Sequence, residues 1–409
     1  MTRIRVSRLV SEGVLLVEDG NHGEYRPRPA EFVVDGVPFI RAADMSSGVV
    51  DFEGAGRING VARARIRKGI GAPGDVILSH KGTVGRIAVA PKTSPDFVCS
   101  PQTTFWRSLK ADALDQRFLR YLMASDDFRR QLDVLKGQTD MAPYVSLSDQ
   151  RSMEVELPHI DEQRAVADLL GALDDKIAAN GRAAKIAFEL ARSLVGSVLS
   201  SQDSLVQCKF GALGQLFDGP HATPTRRSDG PYFLNISSLK CGRLDLADSD
   251  HVSEQDFAEW TRRVTPEAGD LLFSYETRIG EAAMMPGGLR ACLGRRMALM
   301  RPNRAIVDPG FLLHFYLSAE FQRVIAMHTI HGATVPRIGL ATMPEWGIAI
   351  PDLEAQRPIA GALGSLHSTM VQAERESEDL ARTRDELLPL LMSGKLRVKD
   401  AEAVAAAAL

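Results

Sequence analysis

The chain repeats its own sequence once, at an interval of about 193 residues. The segment that starts at Pro158, PHIDEQRAVADLLGAL, is matched by PDLEAQRPIAGALGSL, which starts at Pro351. Upstream, FLRYLMASDDFRRQL from Phe118 matches FLLHFYLSAEFQRVI from Phe311. Two copies are too few for a solenoid or a propeller, so the repeat predicts a duplicated domain.

Short apolar stretches bounded by Gly, Pro and Asp open each copy. The first copy contains VPFIRAADM, GDVILS and GRIAVA, and the second contains PYFLNISSL, GRLDL and GDLLFS. This pattern is typical of short strands in a twisted, irregular sheet. A helix of roughly fifteen residues is predicted to follow from Phe118 and from Phe311. Each globular part is therefore predicted to be α+β.

An apolar repeat with heptad spacing follows each globular part, and it predicts two long helices that pack as an antiparallel coiled coil. The seam positions are Val166, Leu170, Leu173, Ile177, Asn180, Ala184, Ala187, Ala191, Leu194 and Val198 in the first helix, and Ile359, Leu363, Leu366, Met370, Ala373, Ser377, Leu380, Arg384, Leu387 and Leu391 in the second. A helix of about 36 residues is roughly 54 Å long, which exceeds one turn of DNA.

The predicted fold class is α+β, with two tandem α+β domains, two long helices between them in an antiparallel coiled coil, and a pseudo-two-fold internal repeat. We predict a first domain at residues 1–159, a first spacer helix at 160–203, a second domain at 204–352, a second spacer helix at 353–398 and a frayed tail at 399–409.

Composition narrows the class of protein. The 409 residues are 44% hydrophobic, enough for two cores of roughly 150 residues each. We expect a cytoplasmic protein, since no apolar run approaches the roughly 20 residues that span a bilayer. Cys99, Cys208, Cys241 and Cys292 form no CxxC pair, which argues against a zinc ribbon or a disulfide framework. With a net charge of −3, nucleic-acid binding would require basic residues that are concentrated locally.

Sequence signatures of catalysis are missing. The chain has no GxxxxGK[ST] phosphate loop, no HExxH zinc motif and no Asn-Pro-Pro-Tyr signature of an amino-methyltransferase. We therefore predict no catalytic residues, no metal site and no cofactor in this chain.

Two motifs resemble a known family, the specificity (S) subunit of type I restriction-modification systems. One is LLPLLMSGKLRV at Leu387 to Val398, similar to the end of the family's last helix, and the other is GDVILSHKGTVGRIAV around Asp75. The resemblance covers almost the whole chain. The second copy departs from the loop pattern, because GDLLFSYETRIGEAA has Glu276 and Thr277 near the place of Gly82.

The resemblance implies two target-recognition domains that each read one half of a bipartite sequence in double-stranded DNA. The helices would dock two modification (methyltransferase) subunits. S-adenosylmethionine for adenine methylation, and ATP and Mg²⁺ for the translocase and nuclease activities of restriction subunits, would bind in those partners during phage defence. An alternative is an S-like DNA-recognition subunit of another phage-defence or modification assembly. A stand-alone nuclease or methyltransferase and a purely structural scaffold are more remote alternatives.

Three segments per domain are candidate DNA contacts, although solvated or purely structural turns would carry similar residues. The early loops supply His22, Tyr25, Arg26 and Arg28, and His221, Thr223, Thr225, Arg226 and Arg227; the strand–loop segments supply Ser79, His80, Lys81, Thr83 and Arg86, and Tyr275, Glu276, Thr277 and Arg278; the third segments supply Gln102, Thr103 and Thr104, and Arg295 and Arg296.

A basic stretch, Arg63, Arg65, Arg67 and Lys68, adds a further candidate. Its partial alternation would place several charges on one strand face, where they could follow DNA phosphates or form an ordinary solvated edge.

Overall fold

The computed structural model describes residues 2–46, 48–137, 142–200, 205–220, 224–240, 242–246, 249–332 and 335–408. These residues form two compact units. The first unit comprises Met1–Ile177 and Glu378–Leu409, and the second comprises Ala178–Ser377. Each unit combines one α+β domain with a portion of both long helices.

Thirteen strands are described in the first unit, and two sheets contain most of them. The strands are β1 (Thr2–Arg5), β2 (Leu15–Asp19), β3 (Phe32–Val33), β4 (Val37–Ile40), β5 (Met45–Ser46), β6 (Val49–Val50), β7 (Arg57–Ile58), β8 (Ile70–Gly71), β9 (Val76–Ser79), β10 (Ile87–Val89), β11 (Phe97–Cys99), β12 (Thr103–Ser108) and β13 (Glu154–Leu157). One sheet has the order β2-β12-β9-β10-β6-β5 and the other β3-β7-β4-β11-β8, while β1 pairs with β13.

The described strands of the second unit repeat this plan. They are β14 (Leu205–Lys209), β15 (Gly214–Asp218), β16 (Arg227–Leu234), β17 (Leu239–Lys240), β18 (Arg243–Leu244), β19 (Asp250–His251), β20 (Leu271–Ser274), β21 (Ala282–Met284), β22 (Ala291–Leu293), β23 (Met297–Pro302), β24 (Thr329–Ile330), β25 (Arg337–Ile338) and β26 (Gly347–Pro351). The order β15-β23-β20-β21 reproduces β2-β12-β9-β10, and the parallel pair β16–β22 reproduces β4–β11. The antiparallel pair β14–β26 likewise reproduces β1–β13, so the duplicated domain is confirmed.

Eleven α-helices are described along the chain. They are α1 (Val6–Ser11), α2 (Gly60–Arg65), α3 (Gln116–Ala124), α4 (Asp126–Lys136), α5 (Leu147–Ser152), α6 (Ile160–Ser200), α7 (Glu254–Trp260), α8 (Pro309–Tyr316), α9 (Ala319–His328), α10 (Leu353–Met392) and α11 (Val398–Ala408). No helix in the described ranges is both long enough and apolar enough to span a membrane.

The single helix predicted from Phe118, and its copy from Phe311, is wrong, because each is a pair of helices. α3 and α4 meet at Ser125, which adopts an extended conformation and accepts a hydrogen bond from Phe128 N through its Oγ. Ser318 does the same between α8 and α9. A serine N-cap thus starts a new helix inside a pattern that resembles one continuous helix.

A buried glutamine fixes the start of each long helix by the same three hydrogen bonds. The Gln163 side chain accepts from Asp115 N at 3.0 Å and donates to Ala113 O at 3.1 Å and Pro158 O at 3.0 Å. At positions 193 residues later, the Gln356 side chain accepts from Asp308 N at 2.9 Å and donates to Ile306 O at 3.1 Å and Pro351 O at 2.9 Å. Because both glutamine side chains are almost fully buried, we interpret both amides as structural hydrogen-bond partners of the backbone.

Within the first unit, the predicted coil seam is buried between α6 and α10. Its members in the core are Val166, Leu170, Leu173, Leu380, Leu387 and Leu391, with the partly buried Ile177 packed against them. Asp174 of α6 and Arg384 of α10 form an ion pair at 2.8 Å beside this seam. The heptad prediction of packed antiparallel helices is confirmed here.

Within the second unit, small residues bring α6 and α10 together. Ala184, Ala187, Met370 and Ala373 form a separate core cluster, with Leu366 partly buried against it. Leu363 is buried and Ile359, Leu366 and Leu194 are partly buried against the core of the domain.

The heptad spacing ends before the C-terminal end of α6. Val195 and Leu199 are buried, whereas the predicted seam residues Leu194 and Val198 are only partly buried. From Ala191 onward the buried positions therefore step by four. This part of the helix packs on the domain core, where a straight helix follows its own 3.6-residue period.

The predicted fraying of the tail is wrong, since Val398–Ala408 is the helix α11. Ala401 is fully buried in the core of the first unit. The alanine-rich sequence favours a helix, and this contact holds it against the unit.

Candidate nucleic-acid interface

In the first unit, the three predicted contact segments meet at one edge of the six-stranded sheet, which we call the central sheet. This edge is the one where its strands begin or end. β2 and β9 end at this edge, and β12, which is antiparallel to both, begins there. Gly20 N of the early loop donates to Thr103 O at 3.2 Å, and His80 N donates to Gln102 O at 2.8 Å. These bonds join all three segments into one surface.

The second unit brings its three segments together in the same way. Gly219 N donates to Met297 O at 2.9 Å, and Tyr275 N donates to Arg296 O at 3.2 Å. The repeat therefore places two chemically different sets of side chains on two equivalent edges.

The early loops contribute exposed and buried residues. Tyr25 and Arg26 are exposed, whereas His22 is buried with its Nε2 2.8 Å from Cys99 O. Burial lowers the pKa of His22, which keeps the ring neutral and structural. In the second unit Arg226 and Arg227 are exposed and pair with the carboxylates of Asp250 and Asp229. His221 and Thr223 lie outside the described residues.

In the first strand–loop segment, the residues at the turn are exposed and those on the strand are not. Lys81, Thr83 and Arg86 are exposed. Ser79 is fully buried, and its Oγ accepts a hydrogen bond from Arg86 N at 2.9 Å. His80 is also buried, with Nδ1 2.9 Å from Val145 O. Ser79 and His80 therefore hold the turn, and their side chains are not on the surface.

In the second strand–loop segment, charged side chains are paired with each other. Glu276 contacts Arg296 at 3.0 Å, and Arg278 contacts Glu281 at 3.5 Å. Tyr275 is buried, and desolvation raises its pKa to about 12. Thr277 is exposed at the tip of the loop.

The third segments differ most between the copies. Gln102 is exposed, but Thr103 and Thr104 are buried and donate to Ile40 O and to Gln150 Oε1. In the second unit Arg295 is exposed, and it has no side-chain partner among the residues that the structure describes.

The basic stretch does not form the predicted strand face. Arg63 and Arg65 belong to the helix α2, whose cap is the Asn59 side chain. Both terminal nitrogens of Arg65 donate to the Glu31 carboxylate at 2.7 Å, and this hydrogen bonding lowers the pKa of Glu31 to about 2. Asn59 gives a helix start that favours α2 over a strand.

Sequence reasoning missed two residues at these edges, Tyr144 and Arg337. The Lys81 Nζ lies 5.7 Å from the centroid of the Tyr144 ring, and isolated bridges join Lys81 to Tyr144 and Glu276 to Arg337. Tyr144 and Arg337 are 193 positions apart, so applying the repeat offset to this segment would have found them.

Thr277 has a backbone conformation that suits glycine. Its φ is 70°, and the equivalent Gly82 has a φ of 77°. A β-branched residue is strained in this region.

We expect Thr277→Gly to raise the free energy of unfolding of the second unit by about 1 kcal/mol, as read by native-state hydrogen exchange. Thr83→Gly is the control, because Thr83 does not have a positive φ. This substitution should slightly lower the free energy of unfolding of the first unit. If both substitutions lowered the free energy of unfolding by the same amount, Thr277 would not be strained.

No group of three or more His, Cys, Asp or Glu side chains in the described ranges is arranged to hold a metal ion. The geometry instead presents exposed polar, basic and aromatic side chains on sheet edges, an arrangement suited to contacts with an extended polar ligand. These features define a protein with one α+β domain repeated in tandem.

Comparisons with known proteins show which proteins this chain resembles. Residues 23–187 match the family model of the type I restriction modification DNA specificity domain. A Methanocaldococcus jannaschii protein named for the specificity subunit of type I restriction enzyme MjaX is 18% identical over 388 residues, covering 89% of this chain and 88% of that protein. The MjaVIII specificity subunit of the same organism is 24% identical over 289 residues, covering 65% of this chain and 68% of that protein.

A solved structure shows the same fold. The type I restriction-modification S subunit from M. genitalium aligns with a TM-score of 0.58 and 15% identity, covering 95% of each chain. The predicted resemblance to type I restriction-modification specificity subunits is confirmed by the domain match and by these relatives.

Proposed function

We propose that this chain is the non-catalytic DNA sequence-specificity subunit of a type I restriction-modification complex. Each unit would read one half of a bipartite target in double-stranded DNA. The observation that carries this proposal is the convergence of three candidate segments on one edge of the central sheet, repeated at equivalent positions in both units.

The two edges differ in chemistry, which supports two different half-sites. The first presents Lys81, Thr83 and Gln102, whereas the second presents Thr277 and Arg295 at the corresponding segments. An amide can pair with adenine and a guanidinium with guanine, so these edges would favour different bases.

The long helices would dock two methyltransferase subunits. Ile186 and Leu190, one turn apart on α6, are 66% and 48% exposed, and Leu390 on α10 is 40% exposed. Such apolar side chains on helices that also carry a buried seam favour contact with helices of a partner.

The chemistry would reside in the partners. Methyltransferase subunits would bind S-adenosylmethionine and methylate adenine, while restriction subunits would use ATP and Mg²⁺ to translocate and cut. The chain itself would contribute recognition of the DNA sequence and the surface on which the partner subunits assemble.

The test is to sequence adenine methylation in a host that expresses this chain with its methyltransferase subunit. A second host receives a variant whose residues 204–352 come from a relative, and a matched control receives the exchange of residues 1–159. We expect a split motif in which each exchange changes a different half. Absence of a motif, or a change of both halves by one exchange, would show that the division of labour is wrong.

A further inference from the structure

Two consecutive basic residues follow the short helix of each unit at equivalent positions. Arg67 and Lys68 follow α2, and Arg262 and Arg263 follow α7. The two pairs are separated by 195 positions, the same interval that separates Asp75 from Asp270, the buried aspartates that begin the next segment of each copy. All four side chains are exposed.

These charged side chains make few hydrogen bonds or ion pairs within the described part of the protein. Arg67, Lys68 and Arg263 have no side-chain hydrogen bond or ion pair among the described residues, and Arg262 has only a 3.4 Å contact with Glu259 one turn earlier. By contrast, the preceding Arg65 is fixed by two bonds to Glu31.

In the first unit the residue that follows the basic pair packs on the early loop. The next residue, Gly69, packs so closely on this loop that a Cβ atom would lie 2.7 Å from Asp19 O and 2.9 Å from the Cα of Gly20. Its N–H donates to the Glu18 carboxylate at 3.1 Å, and its carbonyl accepts from Cys99 N at 2.8 Å. The segment is therefore held in place with Arg67 and Lys68 at its start.

In the second unit a different observation gives the same placement. Arg262 and Arg263 line a depression of about 690 Å³ together with Trp260 and the segment Asp218 to Pro220. That segment starts the early loop of the second unit, as Asp19 and Gly20 start that of the first. In the first unit, therefore, the residue after the basic pair packs on the Asp-Gly turn, and in the second unit the basic pair and the corresponding turn line one depression.

We propose that Arg67 with Lys68, and Arg262 with Arg263, form two equivalent phosphate-binding sites that hold the DNA backbone beside each early loop. This inference rests on the proposed function. It accounts for how a chain with net charge −3 concentrates positive charge where DNA lies. Because phosphate contacts carry no sequence information, these residues position the duplex while the loop and strand residues read it.

The test measures the salt dependence of binding to a mixed-sequence DNA duplex by the complex of the full chain with its methyltransferase subunit. Between about 50 and 200 mM salt, we expect Arg67→Gln with Lys68→Gln, and separately Arg262→Gln with Arg263→Gln, to reduce the slope of log affinity against log salt by roughly 2. Affinity near 0.15 M salt should fall about tenfold for each pair.

Two controls separate a phosphate site from general charge loss. Arg262→Lys with Arg263→Lys should keep the slope, since phosphate contact needs the charge. Lys92→Gln with Arg129→Gln removes the same charge from exposed positions elsewhere in the first unit and should leave the slope nearly unchanged.

The outcomes distinguish this inference from the function on which it rests. If the wild-type complex shows no salt-dependent affinity for DNA, both proposals fail. If it binds DNA and neutralising the pairs leaves its slope unchanged, only the phosphate sites fail. Loss of the methyltransferase subunit without a change in slope would instead assign the pairs to a protein contact and overturn the inference.

Discussion

Replacing Asp174 by Ala is expected to destabilise the first unit by about 3–5 kcal/mol. The carboxylate is 11% exposed and is the shared partner of Arg120 and Arg384, both at 2.8 Å. The Tyr121 hydroxyl also donates to it at 2.6 Å. Without this acid, Arg120 would lose its carboxylate partner and Arg384 would keep only the more exposed Asp385. Two partly buried guanidiniums would then lie close together, which costs more than the loss of an exposed ion pair.

The expected loss of stability reflects the number of helices that Asp174 connects. Arg120 and Tyr121 lie on α3 of the domain, Arg384 lies on α10, and Asp174 itself lies on α6. One carboxylate thus links three helices within the first unit. Its removal should loosen α3 and α10 together rather than either one alone.

Native-state hydrogen exchange, read peptide by peptide, measures this loss for the first unit separately from the second. Asp175→Ala is the matched control, because the next carboxylate along α6 is exposed and should cost less than about 0.5 kcal/mol. A loss below about 1 kcal/mol for Asp174→Ala would mean that the three partners find water or other acids when the carboxylate is absent.

The repeat and the heptad pattern predicted the fold well because each depends on many residues. The offset of 193 transfers Gln163 and all three of its hydrogen-bond partners onto Gln356 and its partners. Similarly, most positions of the heptad seam are buried, since an apolar stripe on a long helix has to be covered.

The candidate site was harder to predict because residue type does not reveal a distant partner. His22 resembles an exposed loop donor, but its partner Cys99 is 77 residues away in sequence. Ser79 is buried by the turn that it stabilises. The segments themselves were placed together by strand order, which the sequence pattern alone did not define. Whether the exposed members touch DNA stays a prediction.

The second unit is expected to lose stability on mild acidification, by roughly 2 kcal/mol at about pH 5 from His314 alone. His314 of α8 is 1% exposed, and its Nδ1 has no hydrogen-bond partner among the described residues. Burial lowers its pKa from 6.5 to about 4, and the charges of His367 and Arg192 act in the same direction. His367 of α10 is itself buried enough that desolvation lowers its pKa.

The direction of this pH dependence follows from the lowered pKa of His314. The folded unit favours the neutral imidazole, so the stabilisation is complete above about pH 6.5 and is lost progressively as the pH falls toward 4. The ring packs against Phe188 of α6 with 5.8 Å between centroids, so a protonated His314 would place a charge beside an aromatic ring, and both His367 and Arg192 disfavour that charge. No acid is among the groups that shift its pKa.

Hydrogen exchange between pH 7 and 5, corrected for the intrinsic exchange rate, would measure the loss. His314→Phe should remove most of this pH dependence because it keeps an aromatic ring beside Phe188 without a titrating nitrogen. His331→Gln, at an exposed histidine of the same unit, should leave it unchanged. An acid response that persists in His314→Phe would assign it to other groups.

The first unit supplies a comparison within the same molecule. The positions that the repeat offset pairs with His314 and His367 are Tyr121 and Asp174, which form a hydrogen bond with each other. At these equivalent positions the first unit therefore has an acid that pairs with two arginines, and the second unit has two buried histidines. Because Tyr121 does not titrate between pH 5 and 7, the α3 and α6 peptides of the first unit should respond much less to acid than the α8 and α10 peptides of the second. Equal responses would contradict this assignment of the acid sensitivity to the histidines.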